Sequence, residues 1–309
     1  MQVSAVRLED GEEWHLPGGG AVWRCEQIVP PGRASGLPQA EAGPVGRPWH
    51  REEAWLARTR LVRGIGPVRE RRLREQGFGD LVTLQHHPVW GAEAARAWQS
   101  LVERRIDELR RRRVPDGDML SLFGAGELLF LDVETMGLAP VFPLFLAGFA
   151  RWEAGTWRFT LLLARSFEEE PVLLRAIELA VGSAAAVVTY NGRAFDMPFV
   201  NMRRVYHGAA YGDGWPPVHV LDLLSEARRR FRAVLPDARL ESVDRFLTGG
   251  ARPPSIPSCL VPEYYRRFVE TRERAWIEPV LQHNLLDLKA LVRLWGAVAG
   301  AAQQLAPAG

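Results

Sequence analysis

The sequence has almost no lysine and almost no cysteine. Lys289 is the only lysine in a chain of 309 residues whose lysines and arginines total 39. The two cysteines, Cys25 and Cys259, lie far apart and outside any C-x-x-C pattern, which excludes a disulfide framework and a cysteine-type zinc site. The preference for arginine has two interpretations: a GC-rich coding bias, or guanidinium groups selected to bind phosphates. A formal net charge of +2 does not by itself indicate a nucleic-acid-binding protein.

Long apolar runs are also missing. The longest run, residues 138–150, contains two prolines and is too short to span a bilayer. The first 14 residues carry acidic side chains where a signal peptide needs an apolar core. We therefore expect a cytoplasmic protein with no membrane contact. With 47% hydrophobic and 25% charged residues, the composition is that of a globular protein, and the length predicts a sizeable core and two domains.

Residues 1–50 predict a small hairpin followed by a linker. The strands would be "EEWHL" and "AVWRCEQIV", joined by "PGGG". Residues 30–48 are rich in Pro, Gly and Ala without a periodic core pattern, which is typical of a linker or a mobile loop.

Residues 51–118 have a helical pattern with a glycine-rich turn. In "LVRGIGPVRERRLREQGFGDLVTL" (61–84), a short helix would run into Gly64-Ile65-Gly66, and a second helix would run from Pro67 to Gly77. This resembles a helix-hairpin-helix, a motif that binds nucleic-acid backbones without reading sequence. Glycines let the turn approach a phosphate, and free N–H groups of the second helix face the anion. The alternative is a tight turn between helices that needs glycine for geometry alone.

Arginines accompany this region. Arg63 and Arg69 would add positive charge beside the turn. Four consecutive arginines at 110–113 are either a solvated helix end, which the helix dipole favours, or a patch that contacts phosphates.

Residues 119–309 predict an α/β domain. "ELLFLDVET" reads as a strand, and "PLFLAGFARWEAGTWRFTLLLAR" reads as two strands joined at Glu153–Gly155. A helix follows, and its start at Ser166 with Glu169 three residues on predicts a capping box. The strand "AAAVVTYNG", a helix, the strand "VHVLDLL" and further helices come next. This order predicts a mixed central sheet flanked by helices, and it fits the ribonuclease H-like fold.

Two acids end the first of these strands. Asp132 and Glu134 are two residues apart, so their side chains point to the same face of the strand. Residues 128–131 before them are apolar without a break, which indicates a strand buried on both faces. Buried carboxylates are costly unless they are paired, hydrogen-bonded or bound to metal. The pair therefore favours a metal site over solvated acids at a strand edge.

A second acidic segment is "YNGRAFD" (190–196). Asn191 follows a predicted buried strand, and Asp196 lies where a helix begins. Each has an ordinary structural explanation, since asparagine suits turns and aspartate suits helix N-caps. Their place after the carboxyl end of a strand, where sites of open α/β sheets form, argues for a site instead.

A third acidic segment is "HNLLD" (283–287). His283 and Asp287 are neighbours at i and i+4 on a helix that is apolar almost all round. They could satisfy each other within the core. Alternatively, Asp287 could join Asp132, Glu134 and Asp196, and four converging carboxylates would require cations. Two Mg²⁺ or Mn²⁺ ions suit such oxygen ligands, and such a pair is the usual arrangement for phosphodiester hydrolysis.

Together, "FLDVET", "YNGRAFD" and "HNLLD" resemble the three motifs of the DEDD, DnaQ-like 3′–5′ exonucleases. More narrowly, the chain is similar to a YprB-like ribonuclease H-like family that joins a helix-hairpin-helix-like segment to such a nuclease domain. The stretches 240–249 and 256–271 also look like the segments between motifs two and three. The resemblance covers about 180 residues well.

The resemblance implies a role for each matched residue. Asp132 would bridge two metals, Glu134 would hold one of them and orient the water, Asp196 would ligate the metal on the leaving-group side, and Asp287 would complete the other shell. His283 would be the general base, and Asn191 and Phe195 would line the site. His283 departs from the family pattern, because this histidine stands four residues before the last acid, a spacing that the family uses for tyrosine.

The leading hypothesis is a metal-dependent 3′–5′ exonuclease that acts on DNA or RNA, with a single-stranded 3′ end as its partner. The alternatives are a non-catalytic nucleic-acid-binding module and a structure-specific endonuclease. The complete set of four acids argues against the first, and an Asp-x-Glu on one strand argues against the second. The sequence gives no protein partner.

Overall fold

The computed structural model describes residues 6–32, 34–40, 52–209 and 218–304. The chain divides into two compact units. We call Met1–Ala42 with Ala125–Ala297 the sheet unit, and Gly43–Gly124 with Val298–Gly309 the helical unit. Of the linker predicted at 30–48, residue 33 and residues 41–48 lie outside the described residues.

Seven strands form one sheet within the described part of the sheet unit. They are β1 Glu12–His15, β2 Ala21–Val29, β3 Leu128–Thr135, β4 Leu144–Glu153, β5 Thr156–Leu163, β6 Ala186–Thr189 and β7 His219–Asp222. Their order is β1-β2-β5-β4-β3-β6-β7. β6 runs parallel to β3 and to β7, and the other neighbouring pairs are antiparallel. The predicted mixed sheet is confirmed.

Helices separate and follow these strands. They are α1 Glu52–Leu56, α2 Pro67–Glu75, α3 Leu81–Leu84, α4 Gly91–Val102, α5 Ile106–Arg111, α6 Asp116–Met119, α7 Glu170–Gly182, α8 Asp196–Tyr206, α9 Leu224–Phe231, α10 Leu240–Leu247, α11 Val261–Thr271 and α12 Arg274–Gln304. Among the described helices, none combines the length and the apolar character that crossing a bilayer requires.

The alternation of side chains along β3 assigns its two faces. Leu129, Leu131 and Val133 join the buried cluster that α7 and α8 cover. Residues of even number point to the other face, where the Phe130 ring meets Trp295 of α12 with ring centroids 5.8 Å apart. Asp132 and Glu134 share that second face, so α12 packs over the acidic pair.

The predicted hairpin of β1 and β2 adds two strands to the sheet. β2 pairs with β5, and Cys25 lies opposite Leu161 in the register. The first part of the predicted linker is not free either. Leu37 is buried, and Trp157 Nε1 donates a 2.9 Å hydrogen bond to the carbonyl of Pro38. Residues 34–40 are therefore packed against the rest of the sheet unit.

The helical unit contains the predicted glycine turn. α2 begins at Pro67, and Gly77 follows it with a φ of +90°. The element before the turn is a single 3₁₀ turn, Thr59–Leu61, where a short helix was predicted. Arg69 closes the turn, because its Nη1 donates a 2.5 Å hydrogen bond to the Gly64 carbonyl.

Two of the four consecutive arginines have structural partners. Arg110 pairs with Asp116 at 3.1 Å, and Arg112 pairs with Glu93 at 2.7 Å. These two guanidinium groups are therefore engaged in ion pairs within the helical unit. The side chains of Arg111 and Arg113 are exposed.

Candidate metal-dependent active site

The acidic pair lies where β3 ends. Leu128–Leu131 are at most 1% exposed, so the strand is buried on both faces up to Asp132. Pairing with β4 becomes irregular between Glu134 and Thr135. This irregularity frees the strand end from the regular ladder, and both carboxylates stand at the α12 face.

Asp196 approaches from the neighbouring strand. The chain leaves β6 through a turn in which Asn191 has a φ of +67°, and α8 then begins at Asp196. Asp222, at the end of β7, fixes this turn: its Oδ1 accepts hydrogen bonds from the backbone N–H groups of Asn191 at 2.8 Å and Leu224 at 3.0 Å. Asp196 is only 6% exposed.

α12 supplies the third segment. His283 Nε2 lies 3.5 Å from Asp287 Oδ2 and 4.0 Å from Glu134 Oε1. The imidazole ring also faces two hydroxyl groups, with Ser258 Oγ 3.3 Å from Nε2 and Ser255 Oγ 3.3 Å from Nδ1. The predicted i, i+4 pair therefore reaches the acidic pair of β3.

The pKa values of Asp132, Glu134 and Asp196 are all raised. Burial raises the pKa of Asp132 well above its ordinary value, and the charges of Glu134, Asp287 and Asp196 raise it further. Burial and the charges of Asp287 and Asp196 do the same to Glu134. Burial, with the charge of Asp222, raises the pKa of Asp196 to about 7, although two backbone N–H groups oppose the rise. The predicted acids therefore belong to one electrostatically coupled cluster.

Two carboxylates of this cluster are bound by a neutral and a cationic side chain. Within the residues that the structure describes, no three His, Cys, Asp or Glu side chains are placed to hold a metal ion as they stand. Asp132 is bound by an amide, and Asp287 by a guanidinium. The donors nevertheless fit Mg²⁺ or Mn²⁺ in kind, since they are carboxylate oxygens whose mutual repulsion a hard cation would relieve.

Asn284 is a site residue that the sequence reasoning did not identify. Its Nδ2 donates a 2.7 Å hydrogen bond to Asp132 Oδ2. Asn284 follows His283 in the largely apolar helix α12. A polar residue between His283 and Asp287 in such a helix is the sequence signal that could have identified it. Gly148 lies opposite Asp132 in β4. A Cβ on Gly148 would come within 2.0 Å of Asn284 Oδ1, so glycine makes room for the amide.

Replacing Gly148 by alanine is expected to weaken the site. The added methyl group would push Asn284 away from Asp132, and overpacking of this kind costs about 1–3 kcal/mol. A misplaced Asp132 would lower the rate of any reaction that depends on its carboxylate by roughly tenfold for each 1.36 kcal/mol of lost transition-state stabilisation. Thermal unfolding and initial rates measure the two effects. Gly126→Ala is the matched control, because its nearest neighbour would be 3.6 Å away. Equal behaviour of the two variants would contradict this account.

Arg252 is a second residue that the sequence reasoning missed. It is 6% exposed, and its Nη2 lies 2.6 Å from Asp287 Oδ1. Its Nη1 lies 3.2 Å from Asp244, a fully buried acid that also accepts a 2.7 Å hydrogen bond from Arg293. No local pattern in residues 249–256 indicates a buried charge. Arg252 thus ties Asp287 to an ion network behind the site.

The remaining predicted residues lie in different places. Asn191 is exposed, and the ring of Phe195 is partly buried against Phe199 with centroids 5.5 Å apart. Both belong to the segment that leads to Asp196. In the helical unit, Gly64 is exposed with a φ of +94°, and Ile65 is buried.

A sequence profile described as the RNase_H superfamily matches residues 129–299, which is more than half of the chain. The uncharacterized protein YprB of Bacillus subtilis is 31% identical over 176 residues, which are 56% of this chain and 42% of that protein. The chain thus spans less than half the length of this relative.

Two solved structures are also similar. A family B DNA polymerase from Pyrobaculum calidifontis aligns with 54% of this chain and 24% of its own, with a TM-score of 0.44 and 16% identity. E. coli exonuclease I in complex with a dT13 oligonucleotide aligns with 48% and 41%, with a TM-score of 0.31 and 15% identity. With the profile match and the mixed sheet, the predicted ribonuclease H-like fold is confirmed.

Proposed function

The chain belongs to the RNase_H superfamily, and from that premise we propose that it is a metal-dependent nuclease of the DEDD type. It would hydrolyse phosphodiester bonds of DNA or RNA from a 3′ end. The observation that carries this proposal is the electrostatic coupling of acids from three separate elements. The pKa values of Asp132 and Glu134 of β3 and of Asp196 of α8 are raised, and the charge of Asp287 of α12 adds to the rise at both Asp132 and Glu134. Burial of several mutually repelling carboxylates costs free energy, and pKa values raised in this way cluster at functional sites.

Four residues would hold the cations. Asp132, Glu134, Asp196 and Asp287 offer only oxygen ligands, which suit two Mg²⁺ or Mn²⁺ ions. Such ions, when bound, would lower the pKa of a water molecule and neutralise charge on the phosphate and the leaving oxygen. The protein's own contribution is to fix the carboxylates. Asn284 orients Asp132, and Arg252 orients Asp287.

His283 would act as the general base. Its Nε2 faces both Glu134 and Asp287, so it could accept a proton from a water molecule held between these carboxylates. The hydroxyl groups of Ser255 and Ser258 would limit rotation of the ring. At the i, i+4 spacing that the family uses for tyrosine, His283 lies next to Glu134 and Asp287, which supports this assignment.

The nucleic acid would also contact the residues around the site. Asn191 and Phe195 precede Asp196, and the partly exposed ring of Phe195 offers a face on which a base could stack. In the helical unit, Gly64 and Gly66 would approach a backbone phosphate at the start of α2. Gly66, the N-cap of α2, provides no side chain to satisfy the first N–H groups, which supports an anion contact there.

End-labelled single strands of DNA and RNA, incubated with the full chain and Mg²⁺ or Mn²⁺, test this proposal. We expect products shortened stepwise from the 3′ end, and we expect EDTA to abolish them. Cuts at internal positions would instead support an endonuclease. Binding without cleavage under any metal would support a non-catalytic module and would overturn the proposal.

A further inference from the structure

An arginine cleft lies on the sheet unit at α9. It is lined by Arg228, Arg229 and Arg232 and by residues 235–238. The cavity between them measures about 670 Å³ and is open to solvent. Neither the family nor the proposed catalytic residues account for this concentration of guanidinium groups.

The positive charge of this cleft is only partly neutralised. Arg229 is paired with Glu226, which also contacts Arg230. Arg228 and Arg232 are exposed, and neither forms an ion pair with any residue in the described ranges. Asp237 is the one carboxylate among the described lining residues, and its Oδ1 accepts a 3.0 Å hydrogen bond from the backbone N–H of Arg239. Two guanidinium groups thus remain available to an anion.

Two other exposed arginines of the sheet unit differ from this pair. Arg245 pairs with Glu241 at 2.9 Å, and Arg267 pairs with Glu263 at 3.0 Å, each one helical turn away. A coding bias toward arginine would supply many arginines but would not gather unpaired ones in a concave surface. The cleft is therefore better explained by a ligand than by solvation alone.

Hydrogen bonds connect the walls of the cleft to the strand ends that form the candidate active site. The Tyr190 hydroxyl, next to Asn191, donates a hydrogen bond to the carbonyl of Ala238 in the cleft wall. Asp222 binds the backbone N–H groups of both Asn191 and Leu224, and Leu224 begins α9. Burial raises the pKa of Tyr190 and the nearby charge of Arg228 opposes that rise, which places Arg228 within Coulombic reach of the end of β6.

We propose that this arginine cleft binds backbone phosphates of the nucleic-acid strand at positions away from the scissile bond. The inference rests on the proposed nuclease function and extends it to the path of the substrate. Arginine forks bind phosphate oxygens in two-pronged fashion, and backbone contacts of this kind carry no sequence information. The cleft would therefore strengthen the binding of any strand and leave sequence preference unchanged.

Equilibrium binding of fluorescent single-stranded DNA and RNA tests the cleft. The full chain is measured in Ca²⁺ over a range of salt concentrations, and the double variant Arg228→Gln/Arg232→Gln is compared with wild type. Each lost phosphate contact reduces the salt slope by about 0.7 for single strands, so we expect a reduction of about 1.4. At low salt, the dissociation constant is expected to rise at least about tenfold. In Mg²⁺ the KM should rise while kcat at saturation stays the same.

Arg245→Gln/Arg267→Gln is the matched control, since it removes the same charge from exposed, paired positions of the same unit. Equal salt slopes in the two double variants would overturn the inference, while strand binding and cleavage by the wild type would leave the nuclease proposal intact. If the wild type neither binds nor cleaves a strand, the nuclease proposal itself fails. Binding of a nucleoside monophosphate that disappears in the cleft variant would make the cleft a product site and would also overturn the assignment.

Discussion

Replacing Asp132 by asparagine is expected to reduce hydrolysis by at least about 10³-fold and, in EDTA, to stabilise the folded protein. The loss of activity follows from the central position of Asp132 among the proposed metal ligands: cations at such sites contribute several kcal/mol, and each 1.36 kcal/mol is a factor of ten in rate. The gain in stability follows from electrostatics. Burial, Glu134, Asp287 and Asp196 all disfavour the ionised form of Asp132.

The stability gain has a defined dependence on pH. A carboxyl group whose pKa is raised by folding binds more protons in the native state, so its contribution to stability is present below the ordinary pKa and is lost as pH rises through the raised one. The wild type in EDTA should therefore lose stability above about pH 4, the ordinary pKa of an aspartate. Asparagine cannot ionise, and it can still accept the hydrogen bond from Asn284. The melting temperature of the variant should exceed that of the wild type at pH 8, and the difference should shrink toward pH 4.

Addition of Mn²⁺ at pH 8 should reverse this order, because the cation stabilises the ionised cluster of the wild type and finds one ligand fewer in the variant. Glu241→Gln serves as the control, since Glu241 is an exposed acid paired with Arg245. A variant that is inactive but no more stable than wild type in EDTA at pH 8 would contradict the electrostatic account of the cluster.

The elements that position the site could be predicted because their signals are local. The unbroken apolar run at 128–131 identifies a strand buried on both faces, and Ala154-Gly155, both at positive φ, make the turn between β4 and β5. The three acidic segments could be recognised because the first ends a strand, the second follows a strand and the third has helical spacing. Asp222 lies within the predicted strand "VHVLDLL" and ends the observed strand β7, so a search for acids near strand ends could have found it.

Features that depend on distant parts of the chain were not predictable. The hairpin of β1 and β2 was expected, but its pairing with β5 was not, because an edge strand's partner is set by tertiary packing.

The predicted capping box at Ser166 and Glu169 is wrong. Ser166 opens a 3₁₀ turn without a side-chain cap, and the Glu169 carboxylate instead binds the backbone N–H and guanidinium of Arg165. The charged guanidinium of Arg165 thus binds the Glu169 carboxylate that the capping box would need.

Arg252 is the clearest case of a residue that only the folded structure reveals, and we expect its replacement to lower both stability and activity. Its side chain is 1% exposed and joins Asp287 to Asp244. Arg252→Gln leaves Asp287 without its buried cation, and removal of one partner of a buried pair costs about 3–5 kcal/mol. Arg252→Lys keeps the charge but cannot bridge both acids. We expect a smaller loss of stability in the lysine variant, and a reduced kcat in both because Asp287 is no longer fixed.

Metal titration separates the charge of Arg252 from its packing. A divalent cation bound at the acids can replace the missing positive charge, so the metal-induced rise in melting temperature should be larger for Arg252→Gln than for the wild type or Arg252→Lys. Arg293→Gln is the matched control, because Arg293 pairs with Asp244 at 2.7 Å and, among the described residues, forms no ion pair with Asp287. This control should lose stability but show the metal-induced rise of the wild type. The same rise in Arg252→Gln and Arg293→Gln would mean that Arg252 acts through packing alone, since loss of packing is not repaired by a cation.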